Sequence, residues 1–303
     1  MYNLIKNKKL VKERIEHLRN AIASSRVYRP RNLAKLVFLC GANNNNSISE
    51  RRKALIEFAK THLPHTQFFI AEKMFSILLE EGHKGNILDI ENDISEFADH
   101  ILIVLESNSS FAELGAFSHK KLRSNLIVIN DSQYESSNSF INLGPLKAIL
   151  ESSGKNSIIH YKMSKDGIHR KDAIGDVFKP LHDLLKEPLR SHASAIDLNT
   201  CNPATNYDKF SAMFVHDLIY FSGPVNHKEL VEILIQIFGN QRFKLKEHVA
   251  ILAAFESIER DSAGLFRSKL GKTYYEYRFD TNKLISTFRN YTLKFYPERF
   301  YGN

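Results

Sequence analysis

Between His100 and Asp131 the chain reads HILIVLESNSSFAELGAFSHKKLRSNLIVIND, and no other stretch limits the fold as much. An apolar run from Ile101 to Leu105 meets Glu106 at once. A polar turn from Ser107 to Ser110 follows, then a helix-like stretch with Glu113 and Gly115, then a second apolar run from Leu126. Short runs rich in Ile, Val and Leu, separated by a helical segment, mark parallel strands buried on both faces and joined by a crossover. Ligands of such sheets bind outside the carboxyl ends of the strands. Glu106 falls at such an end and Glu113 in the first turn of the following helix, so the spacing directs two carboxylates toward one crevice.

The same grammar extends on both sides. Lys35 to Ala42, KLVFLCGA, reads as a strand, and the loop GANNNNSIS leads into a helix from Ser49 to His62. A glycine at that junction lets backbone N–H groups come close to a phosphate or sugar. There is no GxxxxGK and no GxGxxG, which disfavours a P-loop nucleotidase and an ordinary dinucleotide fold. Further strands are expected at Gln67–Ala71, Leu126–Asn130 and, at an edge, Ser157–Tyr161. Helices are expected at Glu72–Glu81 and Ile87–Phe97, the latter with Glu91 beside its apolar stripe. Ser139–Leu150 reads as a Gly-Pro turn and a short helix. These elements make one α/β, Rossmann-like parallel-sheet domain over 35–162. A basic amphipathic helix precedes it in 1–34, its charged face either solvated or set against phosphates or a partner subunit.

A helical linker is expected over 163–205, with one helix near Ile174–Lys186. From 206 to 303 the character changes to amphipathic helices at about Tyr207–Phe221, Asn226–Phe238 and Lys246–Glu259. GLFRSKLGKTYYEYRF then reads as a hairpin turning at Leu270-Gly271. Three helices and a hairpin describe a mainly α, winged helix-turn-helix domain. From Arg260 onward nine Lys or Arg face four Asp or Glu, with eleven Phe or Tyr interleaved. That mixture suits phosphate contact and base stacking. Arg267, Lys269 and Lys272 are the DNA-binding candidates, while Phe279, Phe288 and Phe295 read as core.

At 303 residues, with 43% hydrophobic and 25% charged residues, the chain can bury two ordinary cores, and its formal net charge of +8 favours a polyanionic partner. No apolar stretch reaches membrane-spanning length, and the N-terminus has no apolar secretory segment. Cys40 and Cys201 fit a reducing cytoplasm as buried thiols. Thirteen histidines give no HExxH and no paired Cys/His spacing, so no metal is expected, and no G-x-S-x-G elbow occurs. Ser110-Phe111-Ala112-Glu113 matches a capping box, which leaves Glu113 open between cap partner and catalyst. Glu91, Glu106 and Glu113 in one crevice would raise one another's pKa, letting one hold a proton while another attacks.

From Leu102 to Ser118 the chain resembles the nucleoside deoxyribosyltransferase family, most closely at AELGAF. The resemblance gives Glu113 the role of nucleophile. It matches Glu106 to an acidic residue of the strand-end loop and Glu91 to an aspartate on the preceding helix. Cys40, Gly41 and Ala42 match the loop against which the nucleoside lies, and Ser110 stands beside the substrate. With LIVIND and SFINLGP added, the chain more closely resembles the effector proteins of type II bacterial retrons. Those join such a domain to a C-terminal winged helix and act in antiphage defence with a reverse transcriptase and its multicopy single-stranded DNA. The resemblance implies cleavage of an N-glycosidic bond in a nucleotide without a cofactor, by a cytoplasmic protein capable of higher-order assembly. NAD+ is the favoured substrate, because its nicotinamide is cationic and leaves without needing a proton. A catalytically inactive DNA-binding scaffold is the alternative.

Overall fold

The computed structural model describes residues 9–44, 47–70, 97–165, 172–186 and 193–300. These fall into two compact units, one between residues 34 and 189 and the other before 34 and after 189. The chain opens with α1 (Lys9–Ala23) and β1 (Val27–Arg29), which belong to the latter.

The α/β unit is built on β2 (Lys35–Cys40), β3 (Thr66–Phe69), β4 (His100–Val104), β5 (Leu126–Asp131) and β6 (Ile158–Tyr161). All pair in parallel, in the spatial order β3-β2-β4-β5-β6. Every residue of β2 and β5 is buried, which is why these strands read as continuous apolar runs instead of alternating. Around the sheet run α2 (Glu50–His62), α3 (Asn108–Phe117), α4 (Lys147–Ser153) and α5 (Gly175–Leu185). One core layer joins Val37, Leu39, Leu102, Val104, Ile127 and Ile129 of the sheet to Leu55 of α2 and Val177, Leu181 and Leu185 of α5. Each such aliphatic side chain contributes about 1.5–3 kcal/mol on burial. The helix expected in a linker therefore belongs to this core: its stripe at i, i+4 and i+8 packs on the sheet, and Lys35 Nζ donates to the Leu185 carbonyl at 2.8 Å.

The expected Gly144-Pro145 turn is instead a π-helical stretch, Asn142–Leu146, continuing directly into α4. Pro145 lacks an N–H and crowds the carbonyl four residues back, and widening to an i→i+5 bond, Lys147 N–H to Asn142 O, accommodates it. The helices expected at 72–81 and 87–97, Glu91 included, lie outside the described residues apart from buried Phe97.

The second unit contains β7 (Ser194–Ala195), α6 (Lys209–Ser222), α7 (His227–Phe238), α8 (Leu245–Ala254), β8 (Ile258–Arg260), β9 (Phe266–Ser268), β10 (Glu276–Tyr277) and α9 (Asn282–Phe295). α6 is buried almost all round and serves as its axis. The basic N-terminal helix is a core element here: Val11, Ile15, Leu18 and Ile22 are buried, and α1 packs on α7 and α9. The hairpin forms earlier than expected. β8 pairs antiparallel with β9, and Asp261 closes the turn by accepting from Ala263 N–H at 3.1 Å and Leu265 N–H at 2.9 Å. Leu270-Gly271 is not the hairpin turn, and the alternating segment after it leaves to pair with the start of the chain: β10-β1-β7 form a separate three-stranded antiparallel sheet. Among the described residues no helix is long and apolar enough to cross a membrane.

Candidate active site

Counted along the α/β sheet, the strand order is 2-1-3-4-5, and its topological switch point lies between β2 and β4. Cys40, Gly41 and Ala42 leave β2 there, and Glu106 leaves β4. Glu106 Oε1 accepts from Ala42 N–H at 3.1 Å and from Ser49 Oγ at 2.5 Å, and Oε2 accepts from Arg51 at 2.9 Å. Only 3% of its side chain is exposed. Arg51 also grips Asp172 Oδ2 at 2.7 Å, a carboxylate with no exposed side-chain surface, and donates to the Ser164 carbonyl. Burial opposes the charge on Arg51, but the hydrogen bonds it donates to Glu106 and Asp172 outweigh it and hold the guanidinium firmly protonated. Tyr161, at the end of β6, is pushed up by burial against the counter-pull of Arg51, so its phenol stays neutral.

The loop after β2 is fixed from the other side by Arg52, which is 1% exposed. It donates to Leu39 O at 2.9 Å and to Asn43 Oδ1 at 2.9 Å. A Cβ on Gly41 would stand 3.0 Å from Arg52 Cδ and 3.1 Å from Glu106 Oε1. The glycine thus admits the chain's own carboxylate and arginine. Cys40 is buried in the strand, and Ala42 is half-buried with its N–H taken by Glu106.

Glu113 is not a cap residue. Ser107 is the N-cap of α3 and its capping-box partner is Ser110, whose hydroxyl also accepts from Glu106 N–H at 3.2 Å. The helix starts three residues before the expected position, because Ser107 takes the extended backbone that a cap needs. Glu113 therefore sits in the second turn, half-buried, three residues beyond Ser110 and beside the buried stripe of Ser110, Leu114 and Phe117. Ser110 is fully buried inside the cap, where its hydroxyl fixes the loop.

The sequence reading missed Ser49, Arg51, Arg52 and Asp172. A signal existed: two adjacent arginines in the first turn of α2 oppose the helix dipole, so they require carboxylate or carbonyl partners. The partner Asp172 lies far along the chain, and spacing could not reveal it.

In the second unit Arg267 lies on β9 opposite Glu259, with its guanidinium 3.3 Å from Asp261 and donating to the Arg299 carbonyl. Lys269 and Lys272 are exposed in the segment after β9. Phe288 is buried and Phe279 half-buried, but Phe295, expected in the core, is 41% exposed. Among the described residues no group of three or more His, Cys, Asp or Glu could hold a metal ion.

A family model described as "STM3845 retron effector protein" matches residues 48–260. The chain is 41% identical over 288 residues to an Escherichia coli protein named "Retron Ec73 putative ribosyltransferase/DNA-binding protein", across 92% of this chain and 91% of that protein. It is 28% identical over 284 residues to the Escherichia coli "Retron Ec86 putative ribosyltransferase/DNA-binding protein", across 92% and 91%.

Proposed function

The chain belongs to the STM3845 retron effector family, and on that premise we propose that its α/β unit cleaves the N-glycosidic bond of a nucleotide while its second unit binds DNA. The observation that carries the catalytic half is the division of labour between two carboxylates after β4. Glu106 is held by three donors, whereas Ser107 and Ser110 supply the cap and relieve Glu113 of that task. Glu113 attacks the anomeric carbon, and the C–N bond breaks with its electron pair leaving on the base. Water then opens the glycosyl ester and restores the carboxylate. Arg51 formally balances one of the two carboxylates it touches, and the remaining negative charge suits the oxocarbenium-like transition state.

NAD+ is the substrate that this division favours. A neutral base must be protonated as it leaves, and the oxygens of Glu106 already accept from Ala42, Ser49 and Arg51. Nicotinamide departs from NAD+ neutral without a proton. The three helices and hairpin of the second unit act as a winged helix-turn-helix, and the retron's reverse transcriptase and multicopy single-stranded DNA are its partners.

The test is base release from NAD+, ATP, dATP and deoxynucleosides, with and without the reverse transcriptase and its DNA. Nicotinamide should appear from NAD+, and Glu113→Gln should abolish it. Adenine release with NAD+ intact would remove the dinucleotide reading. Release from no substrate under any condition would leave the chain a DNA-binding scaffold.

A further inference from the structure

The small sheet of the second unit presents an unusual outer face. Val27 pairs with Tyr277 and Tyr28 with Glu276, and the Arg278 N–H to Arg26 carbonyl bond, 2.8 Å, carries the register one step further. Arg26 and Arg278 therefore lie directly opposite each other. Side chains alternate along strands, so Arg26, Tyr28, Glu276 and Arg278 share one face. Val27 on the opposite face is fully buried, whereas Arg26, Glu276 and Arg278 are exposed. Like charges directly across a strand pair destabilise it, and an anion laid over them relieves that cost. Here the pair is also built. Arg26 donates to the Arg278 carbonyl at 3.0 Å, and the Arg278 guanidinium lies 3.7 Å from the centroid of the Tyr28 ring. Two carboxylates share the face: Glu276, and exposed Asp197, which the Ile196 N–H to Val27 carbonyl bond sets across from Arg26 and whose Oδ1 already accepts from the Thr200 N–H and hydroxyl at 2.7 Å.

We infer that this face is a binding platform for single-stranded nucleic acid, with an unpaired base stacking on Arg278 over Tyr28 while Arg26 holds a flanking phosphate. A guanidinium plane backed by an aromatic ring offers its free side to another flat ring. An unpaired base has a π face to give, and a duplex shows only groove edges and phosphates. The inference rests on the DNA-binding half of the proposed function and adds to it the residues that recognise an unpaired base. It also assigns that contact to residues other than the hairpin cations.

The test uses the full chain and fluorescence anisotropy with a labelled oligo-dT of about ten nucleotides, matched against oligo-rU and a duplex. Arg278→Lys keeps the charge and removes the plane, so oligo-dT binding should weaken about tenfold with an unchanged salt slope. Arg26→Ala should lower that slope by about one. Equal losses on oligo-dT and oligo-rU would make the platform indifferent to the sugar, and a loss on one alone would assign the strand. Wild-type affinity in Arg278→Lys and Tyr28→Ala, with binding lost on neutralising Lys269 and Lys272, would overturn the platform while keeping nucleic-acid binding. Failure of the wild-type protein to bind any of the three probes would overturn the DNA-binding reading itself. Thermal unfolding of each variant separates lost contact from lost fold.

Discussion

Glu106 and Asp217 are both carboxylates withdrawn from solvent, one in each unit, and the donors around them differ in kind. Asp217, on α6, accepts from the Tyr274 N–H at 2.7 Å, the Tyr275 N–H at 3.0 Å and the Tyr277 hydroxyl at 2.9 Å, with His216 Nδ1 also at 2.9 Å. Those donors come mainly from one segment, which Asp217 fastens to the axial helix. Glu106 is held instead by a guanidinium shared with Asp172, at the switch point of a parallel sheet. A carboxylate ringed by backbone donors fixes a shape. One that shares a cation with a second carboxylate makes a charge balance, and any change to one member is felt by the others.

The largest effect should come from Glu113, the proposed nucleophile. Glu113→Gln should reduce base release by about three orders of magnitude or more. Its unfolding midpoint in urea should barely move, since the cap belongs to Ser107 and Ser110. A variant that kept its activity would end the nucleophile assignment. A variant that lost its fold would return Glu113 to the architecture, beside Asp217.

Next in size is Arg51→Met, which leaves two buried carboxylates without their shared cation and should cost about 3–5 kcal/mol in urea unfolding. If charge balance is the cause, adding Asp172→Asn should restore part of that loss. An additive double variant would mean that packing, not charge, explains the cluster. Asp217→Asn should cost less, about 1–3 kcal/mol, because one acceptor oxygen survives for its backbone and hydroxyl donors.

Smaller again is a pH effect confined to the second unit. His248 is fully buried: its Nε2 lies 2.9 Å from Ser211 Oγ and its Nδ1 2.6 Å from the Lys244 carbonyl. Burial lowers its pKa below the usual 6.5, against the opposing pull of the Lys244 carbonyl and the Glu247 and Asp208 charges. Below pH 6.5 the unfolded chain then binds a proton that the folded one refuses. Stability is complete above that value and falls as the pH drops, by at most about 1.4 kcal/mol per pH unit for one group. His248→Gln should flatten the profile relative to wild type, and parallel profiles would refute the assignment.

The parallel sheet was legible because its strands are buried on both faces, so apolar runs and their polar ends stand out. Glu106 stood out for the same reason, as a charge directly after an apolar run, whereas Glu113 was left open between cap and catalyst by its spacing and took its role only from the resemblance at AELGAF. The start of α3 was misread because Ser107 and Ser110 are both competent caps and only the backbone distinguishes them. The Arg51–Asp172 pair joins residues far apart in sequence, and local spacing carries no trace of such a contact. In the second unit the hairpin was placed too late. TYYEYRF alternates as a strand does, yet its partner is Val27–Arg29 at the other end of the chain.

That displacement sets the smallest effect, on the hairpin and the duplex contact proposed for it. Arg267, Lys269 and Lys272 look equivalent in sequence, but only two of them reach solvent freely. Arg267 is held by Asp261 and the Arg299 carbonyl, whereas Lys269 and Lys272 are exposed after β9. Each phosphate contact contributes about 0.9 to the slope of log affinity against log salt on B-DNA. Lys269→Gln and Lys272→Gln should each reduce the slope on a duplex by about that amount. Arg267→Gln should leave it unchanged and lower stability slightly instead, since its loss frees Asp261 at the turn. Equal reductions from all three would show that Arg267 releases Asp261 to bind DNA, and the hairpin would then resemble Glu106 and Arg51 more than Asp217: an ion pair whose partners change when a ligand arrives.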